Sequence, residues 1–558
     1  MENSVKSVCK SLMLGLLLGV ATLIPGQVQA QIQPKPAVVV SIANLNEQLK
    51  DIKYLLTASG FPEFNFLAKA AIKGYADGLD FTRNAGISLY FEGDKSEPNF
   101  SAFVPIEDLE LLLDVVSGFA DVEENGDDAY TLALPNGTEI HIKANDGYAF
   151  FANKANLLNV LPAEPEKMLG DKPTKYNLAF DVRPQAVPQA LRDKVLAIIK
   201  SGSEQTLDKL DDELMESQQK SLAMQMRQFE MMLNESESLT IGMAANAETK
   251  KLYTDIEFTA KAGSELAKKH NESEANSPSR FSGFMMQDSA MNFGMNGQML
   301  PADGITYDKL LKDGKKAVVE RMNESGELSD AEFEKIETLL DSVAEVLGET
   351  LKQGVVDTGV AMMLEGQDAN LVGGVASADP AKVEAAIKDL IPLLKERLAA
   401  DDNPDIPSVV FNLDKENHNG IRFHEIVVTL DNAEARNLFG DSVSVLIGFG
   451  KDSVYYGFGT GPMQPLKKAM AAKGKSEFSA EMNLHVAPFL RMAARTDDAP
   501  PEIAAMAEQL SENGGDLVRG YSKHVPNGIF TRLEMQDGIL SLIKSGYEAA
   551  QGGFDNDF

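Results

Sequence analysis

The sequence has almost no cysteine, and it has no tryptophan. Its 558 residues include one Cys and no Trp, and aromatic residues make up only 7% of the chain. The single thiol, Cys9, lies within the first thirty residues. A chain that loses this residue on processing has no disulfide, no thiol nucleophile and no thiolate metal ligand.

Long apolar runs are absent after residue 30, where charged residues interrupt each one before the roughly 20 residues that span a bilayer. Before it, residues 1–30 have the three parts of a signal peptide: Lys6 and Lys10, an apolar stretch over 12–24, and a small-residue end at Ala30. An uncleaved anchor is the alternative, which the shortness of the stretch disfavours. We expect cleavage after Ala30 and export to the periplasm or the extracellular space.

Positive charge is scarce. The chain has 52 basic against 84 acidic side chains and a formal net charge of −32, and removal of the signal peptide, whose net charge is +1, leaves −33. A field of this sign disfavours nucleic acid and anionic membranes, and it favours cations or basic partners. Solubility alone is the simpler explanation of the charge.

The two halves contain similar segments in the same order, and this pattern predicts an internal duplication. A strand pattern that ends in Glu-Gly recurs, followed by an Asn-Gly turn with a nearby His and then by a strand containing Thr and Glu. The three matched pairs are 86–93 with 359–366, 136–141 with 419–424, and 252–258 with 529–535. A softer match sets 187–192 against 487–491.

Within each half the hydrophobic period switches between two and about 3.6, and Asn-Gly and Asp-Gly dipeptides separate short apolar runs. The pattern predicts an internally duplicated α+β fold of antiparallel sheets with helices packed on one face. The expected divisions are the signal peptide 1–30, a first unit 31–163, a second 164–270 with a Met-containing helical insertion, a linker 271–280, a third unit 281–473 and a fourth 474–558. The third and fourth units would repeat the first and second.

Segments present in only one half would be insertions, where a specific function would lie. The first half has a polar helical stretch over 207–233. The second has a Met-, Asn- and Gly-rich segment over 284–299, a helix over 329–351 and an additional strand over 426–430.

The 23 Met residues and one acidic segment suggest metal sites. Thioethers suit Cu(I), but Met also fills cores and contact surfaces, which we favour. Asp121 to Asp127 resembles the first half of a calcium loop, yet position twelve is Leu132 instead of the closing acid, so an acidic hairpin turn is favoured.

No catalytic signature survives inspection. His141 and His424 occupy matched positions, and each alternates with apolar residues along a predicted strand, which places both on the solvent face. Neither has a nucleophile or further ligands nearby in sequence. We therefore assign no catalytic, cofactor-binding or metal-ligating residue and expect no cofactor.

With its signal peptide and its paired Gly-x-x-apolar-x-apolar-Glu-Gly strands, the chain resembles exported proteins of planctomycete-type bacteria built from repeated strand-hairpin-helix units. Those proteins have no assigned activity, so the resemblance implies an envelope location only. The sequence predicts a non-enzymatic binding or structural protein of the bacterial envelope with an envelope or extracellular protein partner. The alternatives are a periplasmic small-molecule or metal (copper or calcium) binding protein and an enzyme with a dispersed site.

Overall fold

The computed structural model describes residues 35–93, 97–126, 128–207, 226–274, 278–299, 311, 314–316, 318–319, 321–322, 329–366, 368–400, 408–472, 477–496 and 499–552. The signal peptide and Cys9 lie outside this part, as does most of the stretch predicted to be helical over 207–233. The fold is α+β with extensive antiparallel strand pairing, as expected. The described part contains no helix that is both long and apolar enough to cross a membrane.

Contacts divide the chain into two compact units. The first comprises Met1–Ile199, Phe229–Leu266 and Arg532–Phe558, and the second comprises Lys200–Gln228 and Ala267–Thr531. The C-terminal segment therefore belongs with the N-terminal part of the chain. The division falls inside a single strand, between Thr531 and Arg532.

The first unit has strands β1 (Val38–Ile42), β2 (Ala85–Phe91), β3 (Pro98–Pro105), β4 (Asp121–Gly126), β5 (Ala129–Ala133), β6 (Glu139–Asn145), β7 (Tyr148–Ala152), β8 (Leu178–Val182), β9 (Ser236–Asn246) and β10 (Lys251–Ala260). Their spatial order is β4-β5-β6-β7-β3-β2-β1-β8-β9-β10, with every pair antiparallel. The apolar runs that Asn136-Gly137 and Asp146-Gly147 separate in the sequence are the strands β5, β6 and β7.

The second unit has strands β11 (Met291–Gln298), β12 (Val355–Glu365), β13 (Asp368–Ala376), β14 (Val409–His418), β15 (Ile421–Thr429), β16 (Ser442–Phe449), β17 (Ser453–Gly459), β18 (Ala480–His485), β19 (Leu517–Val525) and the first part of β20 (Gly528–Gln536). The residues of β20 from Arg532 onward belong to the first unit. Their order is β14-β15-β16-β17-β13-β12-β11-β18-β19-β20. Each strand thus has the place of the strand ten earlier in the first unit.

The strand order tests the sequence matches. Gly86 and Gly359 lie on β2 and β12, which have the same place, and each strand leads to a turn glycine with positive φ, Gly93 (59°) and Gly366 (56°). The Asn-Gly match is wrong as an equivalence: Gly137 lies between β5 and β6, whereas Gly420 lies between β14 and β15. His141 and His424 are therefore not equivalent.

The helices are α1 (Leu45–Ala58), α2 (Phe64–Tyr75), α3 (Leu109–Ser117), α4 (Lys172–Lys175), α5 (Gln189–Leu207), α6 (Glu265–Glu272), α7 (Asp330–Lys352), α8 (Pro380–Ala400), α9 (Ala433–Phe439), α10 (Met463–Ala471), α11 (Val486–Ala493), α12 (Pro501–Asn513) and α13 (Ser541–Gly552). Side-chain caps fix several N-termini. Asn44 accepts from the Glu47 backbone N–H, and Ser329 forms a capping box with Glu332. The helix predicted over 329–351 is confirmed as α7.

Two predicted insertions have a different structure. The Met-rich segment 284–299 contains β11, which lies between β12 and β18, and Phe284 is fully buried in the second unit's core. The additional strand predicted over 426–430 does not exist separately, because β15 continues from Ile421 to Thr429. The Gly and Asn residues of β11 resemble a loop in sequence although the strand is central in the sheet.

Candidate functional site

Glu384, on α8, is a buried carboxylate surrounded by charged side chains that are partly exposed. It is 4% exposed, and the Arg422 guanidinium on β15 donates to both carboxylate oxygens, with Nε to Oε1 at 3.1 Å. The Lys388 Nζ lies 2.9 Å from Oε1, and the His424 Nε2 lies 3.2 Å from it. The hydrogen bond from Arg422 lowers the pKa of Glu384 to about 2. We call this group, with Asp414, the Glu384 cluster.

The hydrogen bonds indicate which tautomer the His424 ring adopts. The Asp414 backbone N–H donates to Nδ1 at 3.0 Å, so Nδ1 is an acceptor. In the neutral ring Nε2 then carries the hydrogen and donates to Glu384. Both ring nitrogens are used, and the side chain is 4% exposed. The solvent-face prediction for His424 is therefore wrong, because Glu384 on a helix 40 residues earlier covers this position.

The possible ligand atoms of this cluster are spaced as in a metal site, but its negative charges are already balanced by cationic side chains. Ligand atoms of Glu384, Asp414 and His424 all lie within 4.8 Å of one another. However, the Lys388 Nζ bridges Glu384 and Asp414 at 2.9 Å and 3.0 Å, the place that a cation would take. Two carboxylates face one Lys and one Arg, so the formal charges cancel. We interpret the cluster as a closed ion-pair network that joins α8 to the sheet.

A second buried carboxylate, in the first unit, is also closed. Asp255 on β10 is 2% exposed and accepts from Arg532 Nε at 2.6 Å and Nη2 at 2.7 Å, and from the Tyr176 hydroxyl at 2.9 Å. The guanidinium lies 4.2 Å from the ring centroid of Tyr253. Burial and the bond to Asp255 raise the pKa of Tyr176. The sequence could not reveal this group, because Asp255 and Arg532 are 277 positions apart.

His485 and Asp516 form a dyad at the start of α11. The His485 Nδ1 lies 2.8 Å from Asp516 Oδ1, and Asp516 Oδ2 accepts from the Ala487 backbone N–H at 3.1 Å. Asp516 therefore supplies the N-terminal cap that His485 at the cap position does not give. Capping this helix is a structural role for the Asp516 carboxylate, so the pair with His485 does not by itself indicate catalysis.

The remaining sequence motifs have structural roles. The acidic segment from Asp121 forms the hairpin β4–β5, as favoured over a calcium loop. Met286 is buried among Phe281 and Phe284 in the core, the filling role favoured for Met. His141 is half-buried, with Nδ1 3.2 Å from the Thr131 hydroxyl. Met224 lies outside the described residues, and copper binding stays an untested alternative.

A pocket in the second unit has a different character. Its volume is about 290 Å³, and it lies between the β12–β13 turn and α11 with the residues that follow. Apolar atoms form much of its wall, from Leu364, Ala369, Pro488 and Met492. The turn also contributes Gly366, at which a Cβ would meet nothing within 4 Å. The volume is near the lower end of the range for small-ligand sites.

Among the residues that the structure describes, three charged side chains line this pocket: Asp368, Arg491 and Arg495. Arg491 Nη1 donates to the neutral Ser511 hydroxyl at 2.6 Å, and Asp368 Oδ1 accepts from the Thr460 hydroxyl at 3.2 Å. Within the described part of the chain, none of the three forms an ion pair within 4 Å. The pocket therefore differs from the Glu384 cluster in having charges that remain available to a ligand. Sequence reasoning missed it, since the two elements are over 100 residues apart.

No protein family model matches the chain, and no curated protein matches it. The function therefore has to be argued from these residues.

Proposed function

We propose that the chain is an exported, non-enzymatic binding protein that holds a small ligand in the pocket between the β12–β13 turn and α11. The observation that carries the proposal is the combination of an apolar wall with Arg491, Arg495 and Asp368, which are not neutralised by ion pairs among the described residues. Ligand sites typically pair an apolar surface with a few placed polar groups.

The buried carboxylates elsewhere support this choice of site. Glu384 and Asp255 each accept from an arginine and from further donors, so a ligand would have to break existing bonds to reach them. Breaking a buried pair is costly, because it leaves an uncompensated charge. A ligand at Arg491 or Arg495 displaces only solvent or one hydroxyl.

Thermal denaturation of the mature protein with a metabolite panel tests the proposal. A ligand that binds only the folded state at 100 times its Kd adds about 2.7 kcal/mol to the free energy of unfolding. The double variant R491Q and R495Q should lose this shift, and Arg436→Gln, on the exposed helix α9, should keep it. A panel without any stabilising ligand, or a shift that persists in the double variant, contradicts the proposal.

The acidic surface supports a second mode of binding, to a basic envelope or extracellular protein. A net charge of −32 attracts a basic partner at long range, and this attraction weakens with salt. Isolation of the tagged protein from its envelope fraction at low and high salt tests the idea. A stoichiometric partner that is released by salt is the expected result, and recovery of the protein alone at low salt is the contrary one.

We further propose that the strands β1 to β10 and β11 to β20 arose by internal duplication. Helices would pack on one face of each set of strands. The equal places of β2 and β12, and of β10 and β20, support common descent. The resemblance to exported planctomycete-type proteins belongs to the same proposal. Solved structures of the two halves of a related chain would test it through their superposition.

A further inference from the structure

We infer that the ligand of this pocket is a small zwitterion, an α-amino acid with an aliphatic side chain. The inference rests on the proposed function and deepens it by naming the ligand class. It starts from the signs of the charges that line one cavity: Arg491 and Arg495 are positive and Asp368 is negative.

The two signs come from two different elements. Both arginines belong to α11 and the residues directly after it, whereas Asp368 is the first residue of β13. Arginine presents a planar fork of donors that matches a carboxylate, and an aspartate oxygen accepts from an ammonium group. A ligand between the elements would therefore meet cationic donors on one side and an anionic acceptor on the other.

The apolar residues of the pocket favour a ligand with an aliphatic side chain. Leu364, Ala369, Pro488 and Met492 offer aliphatic surface without a hydrogen-bonding side chain. Met adapts to ligand shape because its side chain is unbranched. A cavity of about 290 Å³ has room for a branched aliphatic side chain together with its α-carbon.

Neither a simple anion nor a simple cation satisfies all three charged groups. A carboxylate alone would leave Asp368 next to a second negative charge. An amine alone would lie close to two guanidinium groups. Only a molecule that carries both charges compensates the two arginines and Asp368 together. Repulsion between like charges disfavours a molecule that carries only one of the two charges.

Isothermal titration of the whole mature protein with three probes tests the inference: L-leucine, 4-methylpentanoate, which lacks the ammonium group, and 3-methylbutylamine, which lacks the carboxylate. We expect L-leucine to bind at least tenfold more tightly than either analogue. In Asp368→Asn, L-leucine and 4-methylpentanoate should bind equally. In Arg495→Gln, L-leucine should weaken at least tenfold, while Arg436→Gln should match the wild type.

The outcomes separate this inference from the proposed function. If 4-methylpentanoate binds wild-type protein as tightly as L-leucine, or if Asp368→Asn keeps the preference, the zwitterion inference is wrong while ligand binding stands. The zwitterion inference is also wrong, and ligand binding still stands, if none of the three probes binds but another molecule of the metabolite panel does. If no ligand of the panel binds, the proposed function fails as well. Melting curves of each variant show that the exposed substitutions leave the fold intact.

Discussion

Glu384 keeps its negative charge in a buried position because three side chains donate to it. Its pKa is about 2 instead of the ordinary 4.5, with the hydrogen bond from Arg422 as the largest cause. Since the folded pKa lies below the unfolded one, the stabilisation is complete above about pH 4.5 and is lost as the pH falls toward 2. The acid limb of the stability curve thus depends partly on this residue.

Replacing Glu384 by Gln should lower the free energy of unfolding at pH 7 by about 3 kcal/mol, because Arg422 and Lys388 lose their shared partner. The loss should be smaller at pH 3, where the wild-type carboxylate has less of its advantage. Urea unfolding at both pH values measures the difference.

The matched control is Glu396→Gln on the exposed face of the same helix. It should change the free energy of unfolding by less than about 0.5 kcal/mol at either pH. Equal effects of the two variants would show that the Glu384 cluster does not stabilise α8 against the sheet.

Arg532 is the second residue with a large expected effect. Arg532→Met should destabilise the protein by roughly 3–5 kcal/mol, because Asp255 at 2% exposure is left without its cation. The double variant D255N and R532M should recover part of this loss. Urea unfolding in a double-mutant cycle measures the coupling, and additive effects would contradict it.

The sequence predicted few of these residue-level contacts. The alternation of His424 with the apolar Phe423 predicts the solvent face, which His424 would share with Arg422. The actual partner, Glu384, comes from α8, and no local period contains that information. Turn residues were predictable for the opposite reason: Asn419 and Gly420 both have positive φ, a conformation that Asn-Gly supplies locally.

At the scale of elements, β2 and β12, the two strands that carry the Glu-Gly motif, each contain a tightly packed glycine. A Cβ at Gly359 would lie 2.6 Å from the Phe281 carbonyl oxygen, and one at Gly86 would lie 2.7 Å from Leu169. The short helical turn Ser282–Phe284 therefore lies directly over β12. Gly permits this close approach, since any other residue would push the covering segment away.

Gly359→Ala should lower the free energy of unfolding by about 1–3 kcal/mol, because a backbone carbonyl cannot rotate aside as a side chain can. Gly461→Ala is the control, since an added Cβ there has nothing within 4 Å. Thermal unfolding compares the two. A melting temperature for Gly359→Ala equal to that of the control would show that the segment at Phe281 does not pack as described.

The type of most elements could be predicted, but their places could not. Local periodicity and turn dipeptides gave β5 to β7 and α7 correctly. The strand β11 was missed, because Asn292, Gly294, Asn296 and Gly297 resemble a loop in sequence. It is a strand because β12 and β18 both pair with it, which is a tertiary property.

For the whole molecule, the sequence predicts export through a signal peptide at residues 1–30. We expect the mature chain to begin at Gln31, because the small-residue end of the signal peptide is at Ala30. Intact mass and N-terminal sequencing of the protein from its native envelope fraction check this. A chain that still contains Cys9 would contradict export by cleavage.

The most direct test of the account is native mass spectrometry of the tagged mature protein isolated from its own envelope fraction at low salt. We expect a small bound molecule on the wild type that is absent from the R491Q and R495Q double variant. A bare wild-type mass, or the same adduct on both proteins, would contradict the assignment of the pocket as the functional site.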